Sequence, residues 1–305
     1  MNISSKYANI EKINLIKAKL KKSVDNPKLN IIPIITPSNK KINVIQDGVL
    51  ICGTKQRVSK LFFKDLLKKD KSINHLLYAG VSNGFGAIAT AYAANKLNLK
   101  CTVFMSKKTD EQQLSQLLQS RQVITLQALG ANIYLCSTFK EARSLEYDMG
   151  IVDKSEKIWK PKDGYYIVPM GMNDDDQIMI NLLSKQMKKS SKNTILELTK
   201  NPRIWVVSGS GGIAMAINKA FPNAELFILL TGGWKYKQRV KEHFKNNKNV
   251  VIINNEPILN NKQSRINIKN YYNSVEDYDD LIWPYVKKYG KDDDFVWNVS
   301  SESFV

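Results

Sequence analysis

The feature that most constrains this chain is an alternation of short apolar runs with helical stretches, the joints marked by glycine. Helix-like Ser59–Lys68 precedes strand-like His75–Ala79. Ala87–Leu97 and Glu111–Leu129 read as helices, and Lys100–Met105 and Asn132–Cys136 as strands. The second half repeats the idiom. Tyr165–Pro169, Ile204–Ser208 and Glu225–Leu230 read as strands, Gln177–Met187 and Ala214–Ala220 as helices. Helices alternating with short apolar strands imply βαβ units and mainly parallel sheets. A chain of 305 residues then makes two unequal α/β units with a site in the cleft between them. We expect 31–70 with 160–305 to form the larger unit and 71–159 the smaller. Residues 1–30 form an amphipathic arm, with Ile10, Ile13, Ile16 and Leu20 at helical spacing among lysines. Ile31–Ile35 reads as a strand, and Val44–Ile51 as a hairpin about Asp47-Gly48.

Composition removes several chemistries. Cys52, Cys101 and Cys136 are far apart, odd in number and set in apolar runs, which suits reduced core thiols in a cytoplasmic compartment. No apolar run is long enough to suggest a membrane span or signal peptide. With His75 and His243 as the two histidines, neither a His-based metal site nor a Ser-His-Asp arrangement is expected. Proton transfers therefore fall to lysine and the harder chemistry to a cofactor. The net charge is +18, with clusters such as Lys185, Lys188, Lys189, Lys192 and Lys235, Lys237, Arg239, Lys241. Two readings stay open: lysine bias from an AT-rich coding sequence, and a footprint for nucleic acid.

Three motifs carry chemistry. Gly53-Thr54-Lys55-Gln56-Arg57 follows the apolar Val49–Cys52, read as a strand, and precedes a helix. A lysine there can face a cleft, where desolvation makes its amine nucleophilic, or it is a surface charge in a turn. Gly80-Val81-Ser82-Asn83-Gly84-Phe85-Gly86 joins a strand to the alanine-rich helix. It is either an anion site at a helix N-terminus or an ordinary capped turn. Ser208-Gly209-Ser210-Gly211-Gly212 is a glycine turn whose backbone N–H groups suit a phosphate. It also satisfies GxGxxG/A, but Leu230-Thr231-Gly232-Gly233 stands where a dinucleotide site needs an acid.

In this order the three motifs resemble fold-type II pyridoxal-phosphate (PLP) enzymes, the tryptophan-synthase-β-like superfamily. Thr36-Pro37-Ser38-Asn39, Asp47-Gly48 and Gly53–Arg57 are similar to the entry segment of the D-cysteine desulfhydrase and aminocyclopropane-carboxylate deaminase branch. Ser82-Asn83-Gly84, Leu129-Gly130-Ala131 and Ser208–Gly212 match later landmarks, so the likeness spans about Ile31 to Val299. The resemblance implies that Lys55 forms the Schiff base and shuttles the α-proton. It implies that Asn83 bonds the cofactor's 3′-oxygen, that Ser82, Asn83 and Gly84 hold the substrate carboxylate, and that Gly209, Ser210, Gly211 and Gly212 bind the phosphate. Trp297-Asn298-Val299-Ser300-Ser301 stands for the segment that addresses the pyridine nitrogen, with Ser300 chosen and Asn298 behind it. The chain departs from the family in Ile213, where a hydroxyl often closes the phosphate loop, and in Cys52, which replaces a glycine. A homodimer is implied as well.

The function so implied is elimination or deamination at Cα of an amino acid. Two alternatives stay open. One is processing of an amino-acid group attached to a modified thymine in viral DNA, within the host cytoplasm, where the +18 charge would serve the polynucleotide. The other is a degenerate homologue that binds a ligand without turnover.

Overall fold

The computed structural model describes residues 9–82, 84–106, 111–153, 160–172, 177–253 and 278–301. The chain divides into two compact units, one of Met1–Asp25 and Val58–Asp176, the other of Asn26–Arg57 and Gln177–Ser303. Relative to the boundaries expected from sequence, residues 58–70 and 160–176 group with the smaller sheet, as does the N-terminal helix. Phe63 meets Tyr166 edge-on at 6.4 Å, and the strand Tyr165–Ile167 pairs with His75–Val81. No helix among the described residues is long and apolar enough to cross a membrane.

The first unit begins with α1 (Ile10–Lys22), whose N-cap Asn9 side chain accepts from the Lys12 N–H. After α2 (Gln56–Lys69), whose first two residues belong to the second unit, come β3 (His75–Val81), α3 (Phe85–Leu97) and β4 (Lys100–Ser106). Then follow α4 (Glu111–Leu118), α5 (Arg121–Ala128), β5 (Asn132–Cys136), α6 (Phe139–Gly150) and the small antiparallel pair β6 (Ile151–Asp153) and β7 (Lys160–Pro161). Last is β8 (Tyr165–Ile167). The sheet runs β5-β4-β3-β8 and is wholly parallel, as the alternation requires. Leu77 and Ala79 face α6, packed with Phe104 and Ala142, while Tyr78 points to the other face and α3. Helix α3 is buried from Phe85 to Ala94, so its alanines serve close approach on several sides. At Gly86 an added Cβ would stand 2.1 Å from the Tyr78 hydroxyl, so glycine is what lets that ring lie under the helix. The expected helix Glu111–Leu129 is two helices. Ser120 leaves helical geometry and its side chain caps α5 by accepting from the Val123 N–H at 3.4 Å. The N-terminal helix lies on α5, and Lys96 donates to the Leu20 carbonyl at its C-terminal end.

The second unit holds β1 (Ile31–Ile35), β2 (Lys41–Gln46), α7 (Ile178–Ser190), α8 (Ile195–Leu198), β9 (Arg203–Ser208), α9 (Gly212–Ala220) and β10 (Glu225–Leu230). It closes with α10 (Trp234–Phe244), β11 (Val250–Ile253), α11 (Trp283–Tyr289) and β12 (Phe295–Asn298). Its sheet runs β1-β2-β12-β9-β10-β11, antiparallel between β1 and β2 and parallel elsewhere. Pro33 sits in the edge strand β1, where its missing N–H costs no ladder bond. On one face Val44, Val207, Leu229 and Val296 pack with Trp283 and Val286 of α11, and Trp205 stacks on Phe227 at 4.1 Å. The buried Asp294 accepts from Trp205 Nε1 at 2.7 Å and Arg203 Nε at 2.9 Å, tying β12 to β9 at their amino ends.

Two expectations are corrected here. The hairpin is β1–β2, turning through Thr36–Lys40 with Asn39 at φ 57°, and Asp47–Val49 is a 3₁₀ turn. The Val49–Cys52 strand does not form either. Its donors are met by turns instead: Leu50 N–H by the Asp47 carbonyl, Ile51 N–H by the Gln56 side chain and Gly53 N–H by the Leu50 carbonyl.

Candidate active site

The parallel register brings the carboxyl ends of β2, β12, β9 and β10 to one edge of the larger sheet, with Asn298 beside Gln46, Trp297 beside Val206 and Leu230 beside Ser208. Ligands of open α/β sheets bind outside that edge. Three of the segments leaving it are Asp47–Lys55, Gly209–Gly212 and Val299–Ser301, which hold Lys55, the glycine turn and Ser300. Only β12 separates β2 from β9, so their ends lie about 10 Å apart, two inter-strand spacings. The sheet thus brings together the expected lysine, phosphate turn and nitrogen partner within a single unit.

Lys55 ends a 3₁₀ turn, Gly53–Lys55, that runs straight into α2. Burial pushes its amine down to about 8, so about a tenth of it is neutral and nucleophilic at pH 7, far more than of an ordinary lysine. The turn is locked to the end of β12. Thr54 donates its N–H to the Val299 carbonyl at 3.0 Å, and its hydroxyl accepts from Trp297 Nε1 at 3.1 Å. Gly53 has φ +61°, and a Cβ there would stand 2.2 Å from the Val299 carbonyl oxygen. Behind the turn lies a buried ion pair. Arg57 donates to Asp47 through Nε (2.9 Å) and Nη2 (2.5 Å), and to Asn26 Oδ1 and the Pro27 carbonyl through Nη1. Asp47 also accepts from Trp297 Nε1 at 3.2 Å.

The glycine turn leads into α9 with Gly211 as its N-cap at φ +92°. Backbone donors at the start of a helix, in a turn where three of the four residues are glycine, suit an anion. The Gly209 N–H is engaged by the chain itself, donating to the Tyr278 hydroxyl at 2.9 Å. A lysine with a depressed pKa and a glycine nest on one sheet edge fit a cofactor that carries both an aldehyde and a phosphate.

Ser300 is buried, and its surroundings contain a group that the sequence reading missed. The Asp279 carboxylate accepts from the Val299 N–H (3.1 Å), the Ser300 N–H (2.9 Å) and the Ser300 hydroxyl (2.8 Å). Burial pushes Asp279 up to about 7, assisted by neighbouring Asp280 and opposed by those three hydrogen bonds. Nothing in the run Tyr278-Asp279-Asp280 singles it out, because its partners lie 20 and 21 residues later.

The Ser82–Gly84 turn belongs to the other unit, at the carboxyl end of β3. Ser82 is half-buried and donates its N–H to the Ser106 carbonyl, and Gly84 is the N-cap of α3. Asn83 lies outside the described residues. His75 sits at the opposite end of β3, bonded to Thr102 and stacked on Tyr165. Cys52, Cys101 and Cys136 are buried and unpaired by disulfides.

Comparison with known proteins agrees with this geometry. The fungal L-serine ammonia-lyase of Rhizomucor miehei superposes with a TM-score of 0.62 at 12% identity, over 90% of this chain and 95% of that one. Serine racemase from Dictyostelium discoideum gives 0.55 at 12% identity, over 97% and 99%. A homologue of ACC deaminase gives 0.56 at 15% identity, over 95% and 94%. No curated protein matches in sequence. The model of the family described as "Pyridoxal-phosphate dependent enzyme" matches residues 52–231, from just before Lys55 through the glycine nest to the end of β10. The chain belongs to that family of pyridoxal-phosphate-dependent enzymes.

Proposed function

We propose that this enzyme acts at Cα of a free amino acid by elimination or deamination, with Lys55 carrying the cofactor as a Schiff base. The observation that carries the reading is the placement of the Lys55 turn and the Gly209–Gly212 nest on one sheet edge, one strand apart. We further assign the chain to the D-cysteine desulfhydrase and aminocyclopropane-carboxylate deaminase branch, as a homodimer.

Pyridoxal phosphate, when bound, supplies a sink for the electrons left at Cα as a bond there breaks. The chain's own residues do the rest. Lys55 would take up the Cα proton, a role its lowered pKa suits. The backbone of Ser210, Gly211 and Gly212 would hold the phosphate at the start of α9, with Gly209 joining them where its N–H leaves the Tyr278 hydroxyl. By the resemblance, Ser82, Asn83 and Gly84 would hold the substrate carboxylate, Asn83 would also serve the cofactor's phenolate oxygen, and Ser300 would serve its ring nitrogen.

The charge favours a free substrate. Several basic side chains are paired with acids, in Lys41–Asp293, Lys60–Asp25, Lys68–Asp65 and Lys245–Glu242, so acidic groups interrupt the basic surface. The test is to mix the PLP-loaded protein with D- and L-amino acids and follow ammonia, keto acid and enantiomeric composition. Keto acid with ammonia is expected. Interconversion of enantiomers without ammonia would replace elimination with racemisation. Turnover confined to amino-acid-modified DNA, with log K falling by ~0.9 per phosphate contacted as log salt rises, would instead establish the nucleic-acid reading.

A further inference from the structure

The carboxylate of Asp279 carries an inference that rests on the proposed PLP site and deepens it. Three donors converge on this group, and all come from the segment that backs the Lys55 turn. Asp279 and Ser300 are 2% and 1% exposed, so water does not compete for these bonds. The same segment receives the Thr54 N–H at the Val299 carbonyl. Asp279 therefore fixes, through two backbone N–H groups, the strand end against which Lys55 is set.

The third bond decides a polarity. A serine hydroxyl has one proton and two lone pairs. An ionised carboxylate only accepts, so at 2.8 Å the Ser300 proton is spent on Asp279. What Ser300 has left for a neighbour is a lone pair. A ring nitrogen meeting that lone pair must bring its own proton. We propose that Asp279 is a positioning residue that turns the Ser300 hydroxyl into an acceptor and so holds the cofactor's ring nitrogen in its protonated, more electron-withdrawing form. Neighbouring Asp280 and the Tyr278 hydroxyl flank Asp279 along its own segment.

The test loads the protein with PLP labelled with ¹⁵N in the ring and reads the nitrogen resonance at ~pH 8.5, above the range in which Asp279 titrates. Wild type is expected to show a pyridinium-like resonance. Ser300→Ala removes the acceptor and Asp279→Asn frees the Ser300 proton to turn toward the ring. Both resonances should move to the position of neutral pyridine. Borohydride mapping on the same samples reports separately whether the cofactor sits on Lys55. Attachment at Lys55 with a neutral nitrogen in wild type, or with a pyridinium signal that survives both substitutions, overturns this proposal alone. Attachment elsewhere sinks the functional reading and this proposal with it. Ser300→Ala leaves the two backbone bonds of Asp279 in place, so it tests the polarity even where Asp279→Asn fails to fold.

Discussion

Replacing Asp47 by alanine should destabilise the second unit severely, because it orphans a buried guanidinium. Arg57 and Asp47 have side chains only 1% exposed and are joined by two charge-assisted hydrogen bonds. In Asp47→Ala the Nε and Nη2 donors lose their acceptor, while Nη1 keeps Asn26 and the Pro27 carbonyl. Breaking a buried pair by removing one partner costs about 3–5 kcal/mol. With a urea m-value of about 2–3 kcal/mol per molar, the midpoint should fall by roughly 1–2.5 M. Fluorescence reports this unit well, since Trp205, Trp283 and Trp297 are each 1% exposed within it. The double variant Asp47→Leu/Arg57→Met removes both charges and should recover most of the loss, because an apolar pair of similar volume is often no worse than the ion pair. The loss should also weaken PLP retention, since Asp47 bonds Trp297, which in turn bonds Thr54 beside Lys55. A loss under about 1 kcal/mol for Asp47→Ala, or a double variant as unstable as the single one, would refute this reasoning.

Two further outcomes follow from single groups. Glu146, fully buried and bonded to the Ala79 N–H and Arg143, has its carboxyl pushed by burial from 4.5 to about 7. The folded state therefore holds that proton more tightly than the unfolded chain, so stability is lost as pH rises from about 4.5 to 7, by up to about 3 kcal/mol. Glu146→Gln should flatten that part of the stability profile, and an unchanged profile would contradict the assignment. At the glycine nest, Ser210→Asp should weaken PLP binding more than Ser210→Ala, because a carboxylate repels the phosphate whereas alanine leaves the backbone donors intact. Equal dissociation constants in a fluorescence titration would place the phosphate elsewhere.

The parts of this fold legible in the sequence are those set by local pattern. Strands such as Lys100–Met105 and Asn132–Cys136 and the helix Ala87–Leu97 show their period directly, and the structure forms them within two residues. The period reads through the helix break at Ser120 as one helix, although a serine that starts a new helix is a capping signal. Asp47–Cys52 is misread as well, its apolar residues suggesting a strand. Its course is set instead by Arg57, ten residues later, and by β12, more than 240 residues later. Asp279 was invisible for the same reason. A buried carboxylate is recognisable by its donors, and those come from a strand end brought alongside only by the folded sheet. The three motifs around Lys55, Ser82 and Ser210 were readable because each is a local loop next to a strand or helix. Their common sheet edge, for Lys55 and Ser210, needed β12 inserted between β2 and β9.

The central claim is that Lys55 carries the cofactor. The purified protein should be mixed with PLP, reduced with borohydride, digested and mapped by mass spectrometry. The account predicts a visible absorption band that reduction abolishes, and a pyridoxyl adduct on the peptide bearing Lys55, absent from Lys55→Ala. A protein that stays colourless with PLP, or an adduct on another lysine that persists in Lys55→Ala, would contradict it.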